Sequence, residues 1–145
     1  MIKIICVGKI KDSNLKSLID DYYKRITKYT SIQIIELKDE NENYDEMKKE
    51  SKEIENYLDS KSYNIALDRL GKNIDSINFS KLIDKTFISY PNINFIIGGS
   101  LGIDKSILDK CNIVLSFSSL TFPHQLFRLM LLEQIYRSFK ILNNE

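Results

Sequence analysis

The stretch Asn92-Ile-Asn-Phe-Ile-Ile-Gly-Gly-Ser-Leu-Gly-Ile-Asp104 decides the fold. An isoleucine-rich run, residues 93–97, passes directly into the pattern Gly-Gly-x-x-Gly. Short apolar, β-branched runs of this kind are typical of buried strands in a parallel sheet. A strand that ends at glycines lets the backbone approach another group closely. Because ligands bind at the carboxyl ends of strands in open α/β sheets, we predict a ligand-binding edge here.

A second strand followed by a loop lies at 111–124, with the sequence Cys-Asn-Ile-Val-Leu-Ser-Phe-Ser-Ser-Leu-Thr-Phe-Pro-His. Residues 113–115 are predicted as a strand, and 116–122 as a loop rich in hydroxyls and backbone donors. Pro123 suits the first position of a final helix, where its missing N–H costs nothing. One glycine-rich and one serine-rich loop at two strand ends predict a small-molecule site.

The rest of the chain alternates between predicted strands and predicted helices. Three further strands are predicted at 1–7, 31–37 and 63–67, with loops at 39–43 and 68–72. Amphipathic spacing predicts helices at 15–29, 45–60, 80–89, 106–110 and 123–142. This alternation indicates an α/β fold with a mainly parallel sheet flanked by helices. The length of 145 residues predicts a single domain, 1–145.

Composition restricts the classes of function. The net charge is only +1, from 21 basic and 20 acidic residues, so the chain lacks the basic footprint of proteins that capture naked nucleic acid. Cys6 and Cys111 have no metal-ligand spacing, and we expect reduced, buried thiols and no metal site. No apolar run reaches the ~20 residues of a membrane-spanning helix, and no secretory leader is expected. These observations favour a cytoplasmic protein.

The final helix is apolar on more than one face. Its apolar residues are Leu126, Leu129, Met130, Leu131, Leu132, Ile135, Tyr136, Phe139 and Leu142. Such a helix is either a central core helix or one that needs a second surface. Helices on a parallel sheet cover its outer faces, so we favour a homodimer through this C-terminal helix.

Two phosphate-binding patterns fit poorly. The dinucleotide fingerprint needs G-x-G-x-x-G, which is absent. Residues 99–106 approach the P-loop pattern, but Asp104 replaces the second glycine. An anionic side chain would then stand where backbone amides should hold phosphate. We therefore disfavour a nucleotide triphosphate site.

Taken together, these motifs resemble one known family. The chain has Ile-Ile-Gly-Gly-Ser-x-Gly, then Leu-Ser-Phe-Ser-x-Leu-Thr-Phe-Pro-His-Gln, then Glu-Gln-x-Tyr-Arg at 133–137, and it opens with Lys-Ile-x-x-Val-Gly-Lys at 3–9. In this order and spacing they resemble the RlmH-type methyltransferases of the SPOUT superfamily, over nearly the whole chain. The resemblance implies a homodimer and a trefoil knot formed by the chain after Leu115. It also implies methyl transfer from S-adenosylmethionine to N3 of a pseudouridine in 23S ribosomal RNA, on the large subunit or the whole ribosome.

The resemblance also implies the residues of the site. The cofactor-contacting positions of the family match Leu67, Gly98, Phe117, Ser118, Ser119, Leu120, Thr121 and Phe122. The acceptor imide must lose a proton, and a base near neutrality would help. His124, the only histidine, directly follows the cofactor loop, and either takes this proton or only caps or orients the loop.

The cations are candidates for contacts with RNA. Arg128 lies one helical turn beyond His124, and could contact RNA phosphate, the cofactor carboxylate or an acidic residue of a second subunit. Further candidates for RNA contacts are Lys9, Lys11, Arg25 and Arg137. Members of the family usually continue with a tail containing Tyr-His, whereas this sequence ends in Asn143-Asn144-Glu145.

Two other functions stay open at this stage. One is a ribosome-associated dimer that holds the cofactor without doing chemistry, and the other is a nucleotide-binding protein that uses residues 98–106. Neither the base nor the acceptor nucleotide follows from the residues alone.

Overall fold

The computed structural model describes residues 1–38, 44–99 and 101–145. Strands alternate with helices along these residues. The elements in chain order are β1 (Ile2–Val7), α1 (Ser13–Ile26), β2 (Ile32–Leu37), α2 (Tyr44–Glu55), β3 (Ser62–Asn73), α3 (Ser76–Ser89), β4 (Asn92–Ile97), α4 (Lys105–Leu108), β5 (Ile113–Ser116) and α5 (His124–Leu142).

The strands form one sheet in the order β2-β1-β4-β3-β5. Every strand pair in it is parallel, which confirms the predicted α/β class. Because parallel strands run in the same direction, the segments that follow all five strands emerge at the same edge of the sheet. The predicted loop at 39–43 lies outside the described residues, and the trefoil knot stays a prediction.

The two faces of the sheet are covered by different helices. Side chains alternate between the faces of a strand, so Ile4 and Ile5 of β1 enter different clusters of buried residues. The larger cluster packs under α1, α3 and α5, and includes Phe79, Phe95 and Ile135. The smaller cluster packs under α2 and α4.

One predicted loop is wrong in a way that shapes the site. Residues 68–72 were predicted as a loop, but they belong to β3, which continues to Asn73. Leu115 pairs with both Leu67 and Lys72, so the residues between them form a bulge. A β-carbon at Gly71 would lie 2.8 Å from backbone atoms of β5, so only glycine fits this close approach.

Helix ends also differ from the prediction. α3 begins at Ser76 rather than at residue 80, because Asp75 caps it by accepting a hydrogen bond of 2.7 Å from the backbone N–H of Asn78. α2 ends at Glu55 rather than at residue 60. Beyond that end, Tyr57 and Leu58 still pack against the smaller cluster.

The two cysteines differ in their surroundings. Cys6 is buried in β1, and burial raises the pKa of its thiol to about 12. Cys111 is only partly buried, contrary to the expectation, and burial raises the pKa of its thiol to about 11. Thiolate chemistry near neutral pH is therefore not expected at either position. Among the described residues no cluster of His, Cys, Asp or Glu could hold a metal ion, and no helix has both the length and the apolar character to cross a membrane.

Candidate functional site

A cleft of about 930 Å³ opens at the carboxyl edge of the sheet. It lies where β4, β3 and β5 end, three strands that are neighbours in the sheet. Its volume falls in the range of small-molecule sites, roughly 300–1,000 Å³. The sequence-predicted residues that line it are Leu67, Gly98, Phe117, Ser118, Leu120, Thr121, Phe122 and His124. Ser119 and Arg128 are not among the lining residues.

The glycine loop after β4 folds back on itself. Gly102 donates its backbone N–H to the carbonyl oxygen of Gly99 at 3.0 Å, and Gly102 has a φ of +81°. A β-carbon at Gly98 would lie 2.4 Å from the carbonyl oxygen of Gly102. Glycine is thus required at position 98 because the loop's own backbone occupies the space, a reason that the sequence pattern did not reveal.

The serine loop after β5 is held by its own hydroxyls. Ser116 Oγ donates to the carbonyl oxygen of Ser118 at 2.9 Å, and Ser118 Oγ accepts from the backbone N–H of Leu120 at 3.0 Å. Phe117 anchors the loop by packing edge-on against Phe79. These contacts hold the backbone of the serine loop in one conformation.

His124 is the first residue of α5 and lines the cleft. Pro123 does not occupy the first helical position as predicted, because its ψ of 132° makes it the N-cap residue. Its carbonyl oxygen accepts the backbone N–H of Phe127 at 2.9 Å. The partly buried His124 therefore lines the same cleft as the two loops.

Arg128 is buried, with only 1% of its side chain exposed. Its Nη1 donates to Glu36 Oε2 at 2.7 Å, and its Nη2 donates to the carbonyl oxygen of Gly8 at 3.0 Å. The same Glu36 oxygen accepts the backbone N–H of Ile10 at 3.3 Å. The ion pair considered between subunits is therefore formed within the chain, where it ties α5 to the ends of β1 and β2.

The other cations suggested by the sequence are on the surface. Lys9 and Lys11 are exposed on the loop that Glu36 and Arg128 hold. Arg25 pairs with Asp21 at 3.0 Å, and Arg137 pairs with Glu133 one turn away on α5. Because Lys9 and Lys11 follow the carboxyl end of β1, they lie at the same edge of the sheet as the cleft.

The geometry around Asp104 bears on the nucleotide alternative. Asp104 caps the four-residue helix α4, and its Oδ2 accepts the backbone N–H of Ser106 at 3.2 Å. The hydroxyl of Ser106 donates to the same oxygen. A carboxylate therefore occupies the place that a phosphate would take at this helix start, which argues against a P-loop.

Sequence reasoning missed two features of the site. The β3 bulge places Asp68, Arg69 and Leu70 on the wall of the cleft. From the sequence, these residues had been assigned to a loop with no predicted function. Glu36 had been assigned only to the predicted strand at 31–37. Its partner Arg128 is 92 residues away in the chain, and no local pattern indicates such a pair.

Comparisons with known proteins show the family that the chain resembles over its whole length. A family model described as a predicted SPOUT methyltransferase matches residues 1–145. The chain is 51% identical over 151 residues to the ribosomal RNA large subunit methyltransferase H of Malacoplasma penetrans, covering 99% of this chain and 96% of that protein.

Solved structures show the same fold at low sequence identity. A probable methylase family protein from Haemophilus influenzae Rd KW20 superposes with a TM-score of 0.59 at 13% identity, covering 99% of this chain and 68% of that one. The SpoU methyltransferase AviRb from Streptomyces viridochromogenes, solved in complex with the cofactor AdoMet, gives a TM-score of 0.50 at 11% identity, over 94% of this chain and 57% of that one.

Proposed function

The chain belongs to the SPOUT methyltransferase family, and from that premise we propose that it methylates ribosomal RNA of the large subunit with S-adenosylmethionine as methyl donor. We propose N3 of a pseudouridine in 23S ribosomal RNA as the acceptor. The 51% identical relative is named a ribosomal RNA large subunit methyltransferase, which supports this substrate class. We further propose that residues 1–145 act as one domain in the cytoplasm, where ribosomes are.

The observation that carries the proposal is the cleft at the ends of β4, β3 and β5. Two loops fixed by internal hydrogen bonds form its walls, and apolar side chains such as Phe117, Phe122 and Phe127 provide surface for an aromatic base. We infer that these apolar side chains would hold an adenine ring and that the backbone of the two loops would hold the more polar parts of the cofactor. Leu67, Gly98 and residues 117–122 would hold such a ligand largely through backbone groups.

Bound S-adenosylmethionine would supply an activated methyl group, which the acceptor nitrogen takes as the carbon–sulfur bond breaks and S-adenosylhomocysteine leaves. The chain's part is to align the acceptor and to remove its proton. We propose that His124, which lines the cleft beside the serine loop, takes the N3 proton. Lys9 and Lys11 would contact the RNA backbone at the same sheet edge.

We propose that an assembled particle, rather than free RNA, is the substrate. A net charge of +1 cannot hold RNA by phosphate neutralisation alone, because that affinity scales with the number of cationic contacts. The shape of a ribosomal particle supplies further contacts. Lys9, Lys11 and Arg137 would then position the acceptor loop rather than capture it.

Methyl transfer should be measured on three substrates prepared from cells that lack this activity: intact large subunits or ribosomes, free 23S RNA, and a short hairpin. We expect efficient labelling of the particle and weak labelling of the hairpin at physiological salt. Equal labelling of hairpin and particle would refute the particle proposal. Cofactor binding without transfer to any of the three would favour the non-catalytic alternative.

We also propose a homodimer that buries part of α5. A groove of about 660 Å³ lies on the surface between α5, α1 and the start of α3. It is lined mainly by apolar atoms of residues such as Leu18, Leu129 and Met130. Leu18 is 49% exposed in the single chain. A second copy that places its own α5 here would cover this surface, and the resemblance to a dimeric family supports that occupant.

Light scattering at micromolar concentration should give twice the 16.9 kDa chain mass. Met130→Glu should weaken the dimer roughly 30-fold or more, because it places a charge in an apolar contact. The matched control is Ile88→Glu, at a residue of α3 that is 83% exposed and does not line the groove. A wild-type monomer at this concentration, or equal effects of the two variants, would contradict the proposed interface.

A further inference from the structure

The β3 bulge places a carboxylate on the wall of the cleft. β3 lies between β4 and β5 in the sheet, so Asp68 lies between the glycine loop and the serine loop. Among the described residues that line the cleft, Asp68 carries the one carboxylate. Nothing in the sequence motifs assigns it a role.

The two oxygens of the Asp68 carboxylate have different surroundings. Its Oδ2 accepts the backbone N–H of Leu70 at 3.0 Å. Its Oδ1 faces the glycine loop, where a β-carbon at Gly102 would lie 3.8 Å from it. Because Gly102 has no side chain, no β-carbon occupies the space next to Oδ1. An ionised carboxylate only accepts hydrogen bonds, so the group it meets there must be a donor.

We propose that Asp68 binds the cofactor by accepting a hydrogen bond from its ribose hydroxyls, an inference that rests on the proposed function. S-adenosylmethionine has three sets of donors: the ribose hydroxyls, the amino group of the methionine arm and the amino group of adenine. The ribose is the middle of the molecule and joins the two arms. Asp68 is on the middle strand of the three that form the cleft, between the two loops that would hold those arms.

Calorimetry with S-adenosylhomocysteine and with 5′-methylthioadenosine tests this contact without catalysis. Asp68→Asn keeps an oxygen that can accept from the Leu70 N–H, so the bulge should persist, but it removes the charge. We expect both ligands to bind about 10- to 100-fold more weakly, the range for a hydrogen bond to a charged group. 5′-Methylthioadenosine lacks the amino acid part of the methionine arm. A loss of affinity for this ligand is therefore a loss of contact with its nucleoside part.

A matched control and a matched ligand sharpen the result. Asp59→Asn changes the same kind of turn, since Asp59 Oδ1 accepts the backbone N–H of Lys61 at 2.9 Å, but this turn lies before β3 and outside the cleft. Its affinities should equal those of the wild type. The 2′- and 3′-deoxy forms of 5′-methylthioadenosine should bind the wild type weakly, and for at least one of them Asp68→Asn should cause little further loss.

Three outcomes would overturn the inference. The first is unchanged affinity of Asp68→Asn for both ligands, and slower methyl transfer in that case would place Asp68 at the acceptor instead. The second is a loss of affinity for S-adenosylhomocysteine alone, which indicates the amino group. If both deoxy ligands lose as much affinity on Asp68→Asn as the parent does, the ribose is not the partner.

Folding and the proposed function are checked separately. Should Asp68→Asn fail to fold, Asp68→Glu keeps the charge but moves its oxygens by one methylene, and should also weaken both ligands. If the wild type binds neither ligand, the proposed function fails together with this inference. Normal wild-type binding with an unchanged Asp68→Asn overturns this inference alone.

Discussion

Gly98→Ala should reduce the affinity for S-adenosylmethionine about 10- to 100-fold, because moving the loop's backbone would leave a buried hydrogen-bonding group of the site unpaired, at a cost of about 1–3 kcal/mol. The added β-carbon would lie 2.4 Å from the carbonyl oxygen of Gly102, whereas ordinary contacts begin at about 3.4 Å. The neighbouring atoms belong to backbone, so the whole glycine loop must shift. Calorimetry with S-adenosylmethionine, and with ATP as the competing ligand, measures the loss and separates the cofactor from the nucleotide alternative.

One comparison separates this local effect from general instability. Ile83→Val removes one methyl group from the core under α3, costs about 1 kcal/mol, and should leave the affinity unchanged. A folded Gly98→Ala protein with wild-type affinity would remove the glycine loop from the site.

The strands and the location of the cleft could be predicted because their signals are local. In β4, Ile93, Phe95 and Ile97 enter one cluster of buried residues and Ile96 enters the other, so an apolar run without alternation correctly indicated a strand buried on both faces. Glycines after β4 and serines after β5 mark strand ends. The parallel sheet then brings those ends together, which is why most predicted cofactor residues share one cleft.

The bulge of β3 could not be predicted in the same way. The Asp-Arg-Leu-Gly sequence at 68–71 looks like a loop, since charged residues and a glycine follow an apolar run. Its return to the sheet depends on the close approach of Gly71 to the backbone of β5, a contact between segments more than 40 residues apart. The ion pair of Arg128 could not be predicted either, because Arg128 is in α5 and its partner Glu36 is in β2, far away in the chain.

Glu36→Ala should lower the free energy of unfolding by about 2–3 kcal/mol, near the lower end of the range for breaking buried pairs. The variant leaves the Arg128 guanidinium buried with the carbonyl oxygen of Gly8 as its remaining partner. The Glu36 side chain is 35% exposed, so the loss should be smaller than for a fully buried pair. Denaturant unfolding at fixed protein concentration measures the change.

The control is Glu55→Ala, which removes the partner of Lys110 from a pair whose two side chains are about half exposed. Exposed pairs contribute about 0–1 kcal/mol, so this variant should be nearly as stable as the wild type.

In the Glu36→Ala background, Arg128→Met should lower the free energy of unfolding less than it does alone, because the partner is already lost. If Arg128 acts by positioning α5 and the loop that carries Lys9 and Lys11, methyl transfer should fall in both single variants. Loss of transfer in Arg128→Met with normal transfer in a folded Glu36→Ala protein would instead indicate that Arg128 leaves this pair to contact RNA or cofactor directly.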